Sequence, residues 1–583
     1  MKDVEHSLAP PDPLDPLNSE QLSAVEHTDG PLLVIAGAGT GKTKVITRRI
    51  ARLIERGIDP GSILALTFTE KAAGEMEERV DRLVPYGYTN VWISTFHSFG
   101  DRVLGDNALA LGLVPDFKVL SEAERVIFLK EHLFDLPLDY YRPSGDPTRY
   151  LSSLVKFISR LKDEDVTPED FLSYCDTLEE GEGGVTEDLM KERRELAGAY
   201  AKYEELMARS GYIDFGDQIV LPLKLFREKP AVLKRYRERY HYILTDEFQD
   251  TNYAQSELLK LLSGERRNIT VVADDDQSIY KFRGAAISNV LKFQESCPEA
   301  KVVTLTRNYR SVQPVLDASY RLIRHNDPDR LEVKSGIDKK LVSERSRGGA
   351  GGEVAHLHFD TLTSEAEFVA KTIEERAGEG KRDYKEFAIL VRANADAEPF
   401  LRALDQRGVP HRFSGSSGLY SREEIRVLIS LLKVITDHSD SMNLFHLASS
   451  PVYGLKAADV MPCNHLSRRR HRPLFHVMRD VARGKDVPAE ISTEGVETIT
   501  KVVLDIERLS EMALKESTGR VLYTFLTDTG YIVSLSAEDS EEAVDSVRNI
   551  ARFFEIVSHM EQSLSIKGKK VQTMVEYLTL LMD

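Results

Sequence analysis

A chain of 583 residues is too long for one hydrophobic core, and roughly three or four domains are expected. Its 42% hydrophobic and 29% charged composition is that of a globular protein, and no apolar run approaches the roughly 20 residues that span a bilayer, so no membrane partner is expected. A formal charge of -17, from 77 basic and 94 acidic residues, excludes nucleic-acid binding by bulk charge.

Any nucleic-acid site must therefore be a local groove, built by placement and stacking. The N-terminus, MKDVEHSLAPPDPLDPLNSE, is acidic and proline-rich, unlike a secretory signal. Cys175, Cys297 and Cys463 lie far apart and offer neither a disulfide framework nor a zinc pattern. A cytoplasmic protein is expected.

Short β-rich apolar runs recur along the first half: PLLVIAGA (31–38), ILALTFT (63–69), VWISTF (91–96), YHYILTDE (240–247), ITVVADD (269–275) and VVTLTRN (302–308). Helical patterns separate several of them, which predicts an α/β fold with a parallel sheet and helices on its faces. Residues 104–211 have charged helical periodicity without a strand and read as a helical insertion. A second α/β pattern follows, with EVAHLHFD (353–360) and EFAILVRA (386–393) as expected strands and SRGGAGGE (346–353) as a loop. In SREEIRVLISLLKVI, the residues Ile425, Leu428, Ile429, Leu432 and Ile435 share one helical face, and the pattern stays helical from 437 to 583. The basic cluster SRRRHR, Ser467 to Arg472, reads as a loop, either solvated or laid on a phosphate backbone.

PLLVIAGAGTGKT runs from a buried strand through a glycine turn into a helix. Gly37, Gly39 and Gly41 let backbone N–H groups approach phosphate oxygens, and the helix start adds its positive dipole end. Lys42 reaches the β- and γ-phosphates, and the Thr43 hydroxyl is a magnesium ligand. The loop from Ala36 through Gly37, Ala38, Gly39, Thr40 and Gly41 departs from the strict P-loop pattern only in carrying alanine at position 36. A P-loop needs a second strand that ends in an acid, and YHYILTDEFQDTN supplies it. Asp246 is placed to hold magnesium, and Glu247 to orient or deprotonate the attacking water.

The motifs AGAGTGKT, TFTEKAA (67–73), STFHSFG (94–100), TDEFQDTN (245–252), ADDDQSIYKFRGA (273–285) and LTRNYRS (305–311) come in the order in which they resemble the UvrD/Rep-type superfamily 1 DNA helicases. The resemblance implies two RecA-like P-loop motor domains with parallel sheets, each interrupted by a helical insertion. It also implies ATP and Mg2+ as cofactors, single-stranded and duplex DNA as partners, 3′-to-5′ translocation and unwinding, and a place in DNA repair or replication restart. On this pattern the first motor domain is 1–103 with 212–310 and its insertion 104–211. The second begins at 311–436, with its insertion at 437–583.

The same resemblance assigns roles residue by residue. Gln21, in LNSEQLSAV, reads the adenine edge and Tyr309 stacks on the base. Arg310 touches the γ-phosphate and Gln277 senses it. Tyr280 and Phe282 stack on DNA bases, and Arg283 holds phosphate or base. Phe68 and His97 are DNA contacts or, alternatively, packed core residues. Three departures stand out. Lys281 and Phe282 replace the family's glycine and tryptophan, and Glu70 stands where asparagine is usual. SSPVYGLKA (449–457) keeps only Gly454 of a GIG-like turn. The two closing motifs, TxHxxKGLE and VxxTRA, are not found, so the second motor domain is expected to be incomplete, with a C-terminal complement or a repair protein as a further partner. The motor subunit of a helicase–nuclease, or a chain that binds nucleotide and DNA without turnover, are the alternatives.

Overall fold

The computed structural model describes residues 17–84, 90–178, 186–279, 288–345, 352–378, 382–413, 419–420, 422–537, 540–563 and 570–582. The chain divides into two compact units, 1–355 and 356–583.

The first unit opens with helix α1 (Ser19–Val25), strand β1 (Leu32–Ala36), helix α2 (Lys42–Glu55), strand β2 (Ile63–Thr67) and helix α3 (Glu70–Leu83). Strand β3 (Trp92–Thr95) and helix α4 (Phe96–Asn107) follow. Strand β4 (Lys118–Leu120) then leads into helices α5 (Glu122–Glu131), α6 (Leu151–Asp163), α7 (Pro168–Asp176) and α8 (Glu187–Ser210). The chain returns through β5 (Tyr212–Asp214), α9 (Asp217–Glu228), α10 (Pro230–Arg239), β6 (Tyr242–Thr245), α11 (Tyr253–Ser263) and β7 (Ile269–Ala273). Helix α12 (Ser288–Ser296), strands β8 (Lys301–Leu305) and β9 (Arg307–Asn308), helices α13 (Gln313–Ile323) and α14 (Leu331–Ser335), and strand β10 (Val342–Ser343) complete it.

Six strands pair in the order β3-β2-β6-β7-β1-β8, all parallel. They are the six expected from the sequence. Strands β1, β2 and β7 are buried along their whole length, as expected of a sheet covered on both faces. One face packs Leu33, Leu64 and Ile243 against Phe96, Phe99, Ile219 and Leu258 of α4, α9 and α11. The other packs Leu32, Val34 and Ala65 against Val45, Ile46 and Ile50 of α2 and Met76 and Val80 of α3. Each fully buried aliphatic side chain contributes about 1.5–3 kcal/mol, so these layers rather than helix propensity hold the frame rigid.

The sequence motifs double as local folding signals. Thr69 caps α3 by accepting from the Ala72 N–H, and Thr95 caps α4 by accepting from the Ser98 N–H. Each cap is worth about 1 kcal/mol and turns the chain from strand to helix at one edge of the sheet. Gly100 of STFHSFG allows α4 to touch α9, because a Cβ there would lie 1.7 Å from the Gln218 carbonyl oxygen.

One expectation needs correction here, and two of the expected boundaries are crossed by continuous structure. Helix α4 runs through position 104, with Val103 in the core against the sheet and Leu104 buried. The segment 104–211 also holds a strand: β4 pairs in parallel with β5. At its base Lys162, 1% exposed, donates to Asp214 Oδ2 at 3.0 Å and Asp217 Oδ1 at 2.6 Å and pairs with Glu204, and Arg125 joins Asp214 at 3.2 Å. Finally, 311–345 belongs to the first unit. Arg330 forks onto Asp276 at 2.8 and 2.9 Å, and Lys339 bonds Asp274 at 2.8 Å, Asp276 at 3.0 Å and also Asp275. The three successive acids after β7 thus neutralise two cations that arrive about sixty residues later, a pairing that periodicity does not reveal.

In the second unit, helix α15 (Leu362–Gly378) packs on α16 (Glu398–Gln406) through Ala366, Ala370, Phe400, Ala403 and Leu404. The expected strands 353–360 and 386–393 join no ladder among the described residues, and Glu386 ends a 3-10 turn, Tyr384–Glu386. In 386–393 the alternation survives: Ile389 and Val391 lie against α15 and α16, whereas Leu390 is 94% exposed. An apolar run of strand composition needs neighbouring strands to become one.

The remainder is helical: α17 (Glu423–Thr436), α18 (Ser441–Ser449), α19 (Ala457–Arg470), α20 (Leu474–Ala482), α21 (Thr493–Ala513), α22 (Thr518–Asp528), α23 (Tyr531–Ala537), α24 (Glu541–Ser563) and α25 (Lys570–Met582). Helix α17 buries Val427, Leu431 and Val434 as well as the expected face, because α18, α21, α24 and α25 surround it. SRRRHR is not a loop. Arg468, Arg469 and Arg470 form the last turn of α19, where cations complement the helix dipole, and Arg470 and Arg472 pair with Asp486 and Asp480 at 2.6 and 2.8 Å. Gly454, with φ +64°, turns the chain between α18 and α19.

Candidate active site

Parallel strands all end at one edge of the sheet, and the loops that leave this edge carry the motifs. The P-loop follows β1, DEFQD follows β6, ADDDQ follows β7, and RNYR follows β8. Because β6, β7, β1 and β8 are adjacent in the sheet, four segments distant in sequence converge.

Lys42 is the first residue of α2, and its Nζ lies 2.5 Å from Glu247 Oε2 and 3.5 Å from Gln277 Oε1. The Thr43 hydroxyl lies 3.4 Å from Asp246 Oδ2. Asp246 is anchored to the sheet by its N–H on the Leu66 carbonyl, and its Oδ1 accepts the Glu247 N–H at 3.0 Å. Glu247 itself has φ +51°, the left-handed region that costs a non-glycine residue on the order of 1–3 kcal/mol. Thr40 folds back on the Gly37 carbonyl through its hydroxyl at 2.8 Å.

The segment after β8 is laid across the P-loop. The Tyr309 N–H donates to the Gly39 carbonyl at 2.9 Å, and Asn308 Nδ2 donates to the Ala38 carbonyl at 2.5 Å. Asn308 Oδ1 accepts the N–H groups of Arg310 and Ser311 at 2.9 and 2.7 Å, which fixes the turn that carries Arg310. Gly39 has φ +74°, and a Cβ there would lie 2.6 Å from Arg310 Cβ.

Gln21 is also at the loop, but its amide is engaged by protein: Nε2 donates to the Thr40 carbonyl at 2.8 Å and Oε1 accepts the Asn18 N–H at 3.1 Å. Asn18 in turn reaches the Tyr309 hydroxyl at 3.0 Å.

Burial, with the Glu247 charge beside it, pushes the Asp246 carboxyl up to about 6 despite Lys42. The same two causes push Asp250 up to about 6. Buried oxygen donors beside a P-loop hydroxyl suit a small hard cation. Magnesium takes only the ionised carboxylate, so below about pH 6 a proton competes with it. Mg-nucleotide affinity is therefore expected to fall by up to about tenfold for each pH unit below that point and to be flat well above it. Titration of a fluorescent Mg-nucleotide across this range checks it. Asp246→Asn should remove the slope, and a slope kept by Asp246→Asn but lost in Asp250→Asn would assign it to the wrong acid.

Of the expected DNA contacts, Tyr280, Phe282 and Arg283 lie outside the described residues. Phe68 and His97 sit at the ends of β2 and β3 on the same sheet edge, both half-buried, with His97 edge-on to Phe215 at 6.1 Å between centroids. Burial lowers the His97 pKa, with Glu70 opposing. Glu70 turns inward to accept the Thr95 and Ser98 hydroxyls, each at 2.7 Å, and these bonds hold its carboxyl below the usual range.

Sequence reasoning passed over Asn18, Gln249, Asp250, Asn308 and Lys339. The available signal for the central three was position alone: polar residues inside DEFQD and in the short strand β9 that follows β8.

The chain matches two domain families: the UvrD/REP helicase N-terminal domain over residues 17–298 and the UvrD-like helicase C-terminal domain over 303–583. The chain belongs to the UvrD/REP helicase family. It is 31% identical over 573 residues to the ATP-dependent DNA helicase PcrA of Staphylococcus epidermidis, covering 97% of this chain and 73% of that protein. With the PcrA of Bacillus subtilis it shares 32% over 567 residues, 97% of this chain and 71% of the relative. At the sheet edge this chain gathers Lys42, Asp246, Glu247 and Gln277, with the Arg310 backbone held beside the P-loop. No helix among the described residues is long and apolar enough to cross a membrane.

Proposed function

We propose that this chain is an ATP-dependent motor that moves 3′ to 5′ on single-stranded DNA and unwinds the duplex ahead of it, in the cytoplasm, during DNA repair or replication restart. The observation that carries this reading is the convergence of Lys42, Glu247 and Gln277 within one hydrogen-bonded cluster, with Arg310 held against the P-loop by Asn308 and Tyr309.

Thr43 and Asp246 hold Mg2+, which supplies charge neutralisation on the phosphates when bound. Lys42 leaves Glu247 for the phosphate oxygens, which frees the Glu247 carboxylate to take a proton from the attacking water. Arg310 meets the charge that develops on the transferred phosphoryl group. Gln277 lies at the start of the segment that continues to Tyr280, Phe282 and Arg283, so the residue that senses the γ-phosphate and those that stack on bases share one short stretch of chain. That shared stretch couples hydrolysis to stepping.

Phosphate release with and without single-stranded DNA, combined with strand separation on duplexes tailed at the 3′ or the 5′ end, tests the reading. Separation from 5′ tails alone, or turnover indifferent to DNA, overturns it. Phe282→Ala is expected to weaken single-stranded DNA binding by about 1–3 kcal/mol, the worth of one stacked base, with nucleotide affinity in the absence of DNA unchanged. An unaltered DNA dissociation constant at fixed salt would make Phe282 a core residue instead.

A further inference from the structure

The catalytic cluster closes into a ring. From Lys42 Nζ it runs to Glu247 Oε2 at 2.5 Å, and Gln249 Nε2 donates to that same oxygen at 2.7 Å. Gln249 Oε1 accepts the Asp274 N–H at 2.9 Å, and Asp274 Oδ2 accepts Gln277 Nε2 at 2.6 Å. Gln277 Oε1 returns to Lys42 at 3.5 Å. The other oxygen of Asp274 is pinned by Lys339 at 2.8 Å, so its carboxylate has one orientation to offer Gln277.

Gln249 is 1% exposed and lies on the 3-10 turn Phe248–Asp250, directly after the left-handed backbone of Glu247. Its two neighbours demand opposite polarities: an N–H needs an acceptor and a carboxylate needs a donor. One side-chain amide satisfies both, and only in the orientation found. A glutamate would set a like charge against Glu247, and an aliphatic side chain would leave the buried Asp274 N–H without its acceptor and take one donor from the half-buried Glu247 carboxylate.

We infer that Gln249 is a positioning residue, one that holds the Glu247 carboxylate in place when Lys42 leaves it for the phosphates and ties that carboxylate to the Asp274–Gln277 arm. The inference rests on the reading of Glu247 as the group that accepts the water proton. Without Gln249, the carboxylate loses its second tether at the moment Lys42 moves, and a misplacement of about 1 Å costs on the order of 10²-fold in rate. Binding is spared, because the Gln249 side chain bonds to Glu247 and to the Asp274 N–H rather than to the P-loop.

The test uses Gln249→Met, close in size but without either hydrogen bond, and Gln249→Glu, which keeps the acceptor for the Asp274 N–H and loses the donor to Glu247. In the full chain both are expected to lower kcat for ATP by about 10–10²-fold, with KM and Mg-nucleotide affinity within about twofold of wild type. Combined with Glu247→Gln, the Met variant should be no slower than Glu247→Gln alone, since a residue that acts only through Glu247 has nothing left to position.

Multiplying losses in that double variant, or a Gln249→Met enzyme that loses nucleotide affinity in step with its rate, overturns the inference. So does wild-type turnover by Gln249→Met beside a slow Glu247→Gln. If Glu247→Gln itself turns over normally, the underlying assignment of Glu247 fails first, and the two failures are told apart by that single variant.

Discussion

Arg310→Ala is expected to reduce DNA-stimulated ATP hydrolysis by about 10³–10⁵-fold, the worth of an arginine aimed at phosphoryl transfer, while nucleotide still binds. The expectation comes from how firmly the backbone beneath Arg310 is held. Asn308 spends its amide on the Ala38 carbonyl and its oxygen on the N–H groups of Arg310 and Ser311, and Tyr309 donates to the Gly39 carbonyl. The guanidinium therefore starts from a fixed point on the P-loop rim. A positive charge placed there gains most when charge builds on the phosphoryl oxygens, so its loss acts on turnover more than on ground-state binding. Arg310→Lys should recover only part of the rate, because an ammonium lacks the planar fork of donors. Phosphate release measured beside fluorescent-nucleotide binding decides the matter. A decrease smaller than tenfold would mean that Arg310 points elsewhere in the working enzyme.

Glu247→Gln should lose about 10²–10⁴-fold in turnover, the usual contribution of a positioned general base, and keep Mg-ATP. The carboxylate sits between Lys42 at 2.5 Å and Gln249 at 2.7 Å, on a residue with a left-handed backbone. Glutamine preserves the shape and removes the basicity. Because Lys42 is freed from its ion pair with Glu247, nucleotide affinity is expected to hold or rise slightly. Single-turnover hydrolysis after rapid mixing separates the chemical step from product release. Near-normal single-turnover rates would remove Glu247 as the base and leave Asp250, also close to Lys42 and Glu247, as the acid to examine.

The frame, and the strand-then-loop segments that carry Lys42, Thr43, Asp246 and Glu247, were legible in the sequence because both are local. A run such as LLVIA is buried on both faces wherever its neighbours are, and the P-loop needs only its own backbone and the start of its own helix. Lys42, Thr43, Asp246 and Glu247 follow from strand-then-loop patterns of this kind. The early helices were legible for the same reason, since Thr69 and Thr95 cap them from one residue away.

What the tertiary structure decided is everything that depends on partners distant in sequence. Adjacency of β7 and β1 in the sheet brings Gln277 to Lys42, 235 residues away. The acids at 274–276 find their cations at Arg330 and Lys339, which moves 311–345 into the first unit. Gln21 and Gln249 look alike in sequence as single polar residues, and only their neighbours separate a side chain tied to the P-loop carbonyl from one that bridges a carboxylate and a backbone N–H. The segment 386–393 shows the converse: it has strand composition, yet a strand is a relation between neighbours, and the run joins no ladder among the described residues, with Leu390 open to water. By itself the sequence determined which residues are able to do chemistry. Which of them touch was decided by strand order and by the pairing of buried charges, since burial makes an unmatched carboxylate or N–H too costly to leave alone.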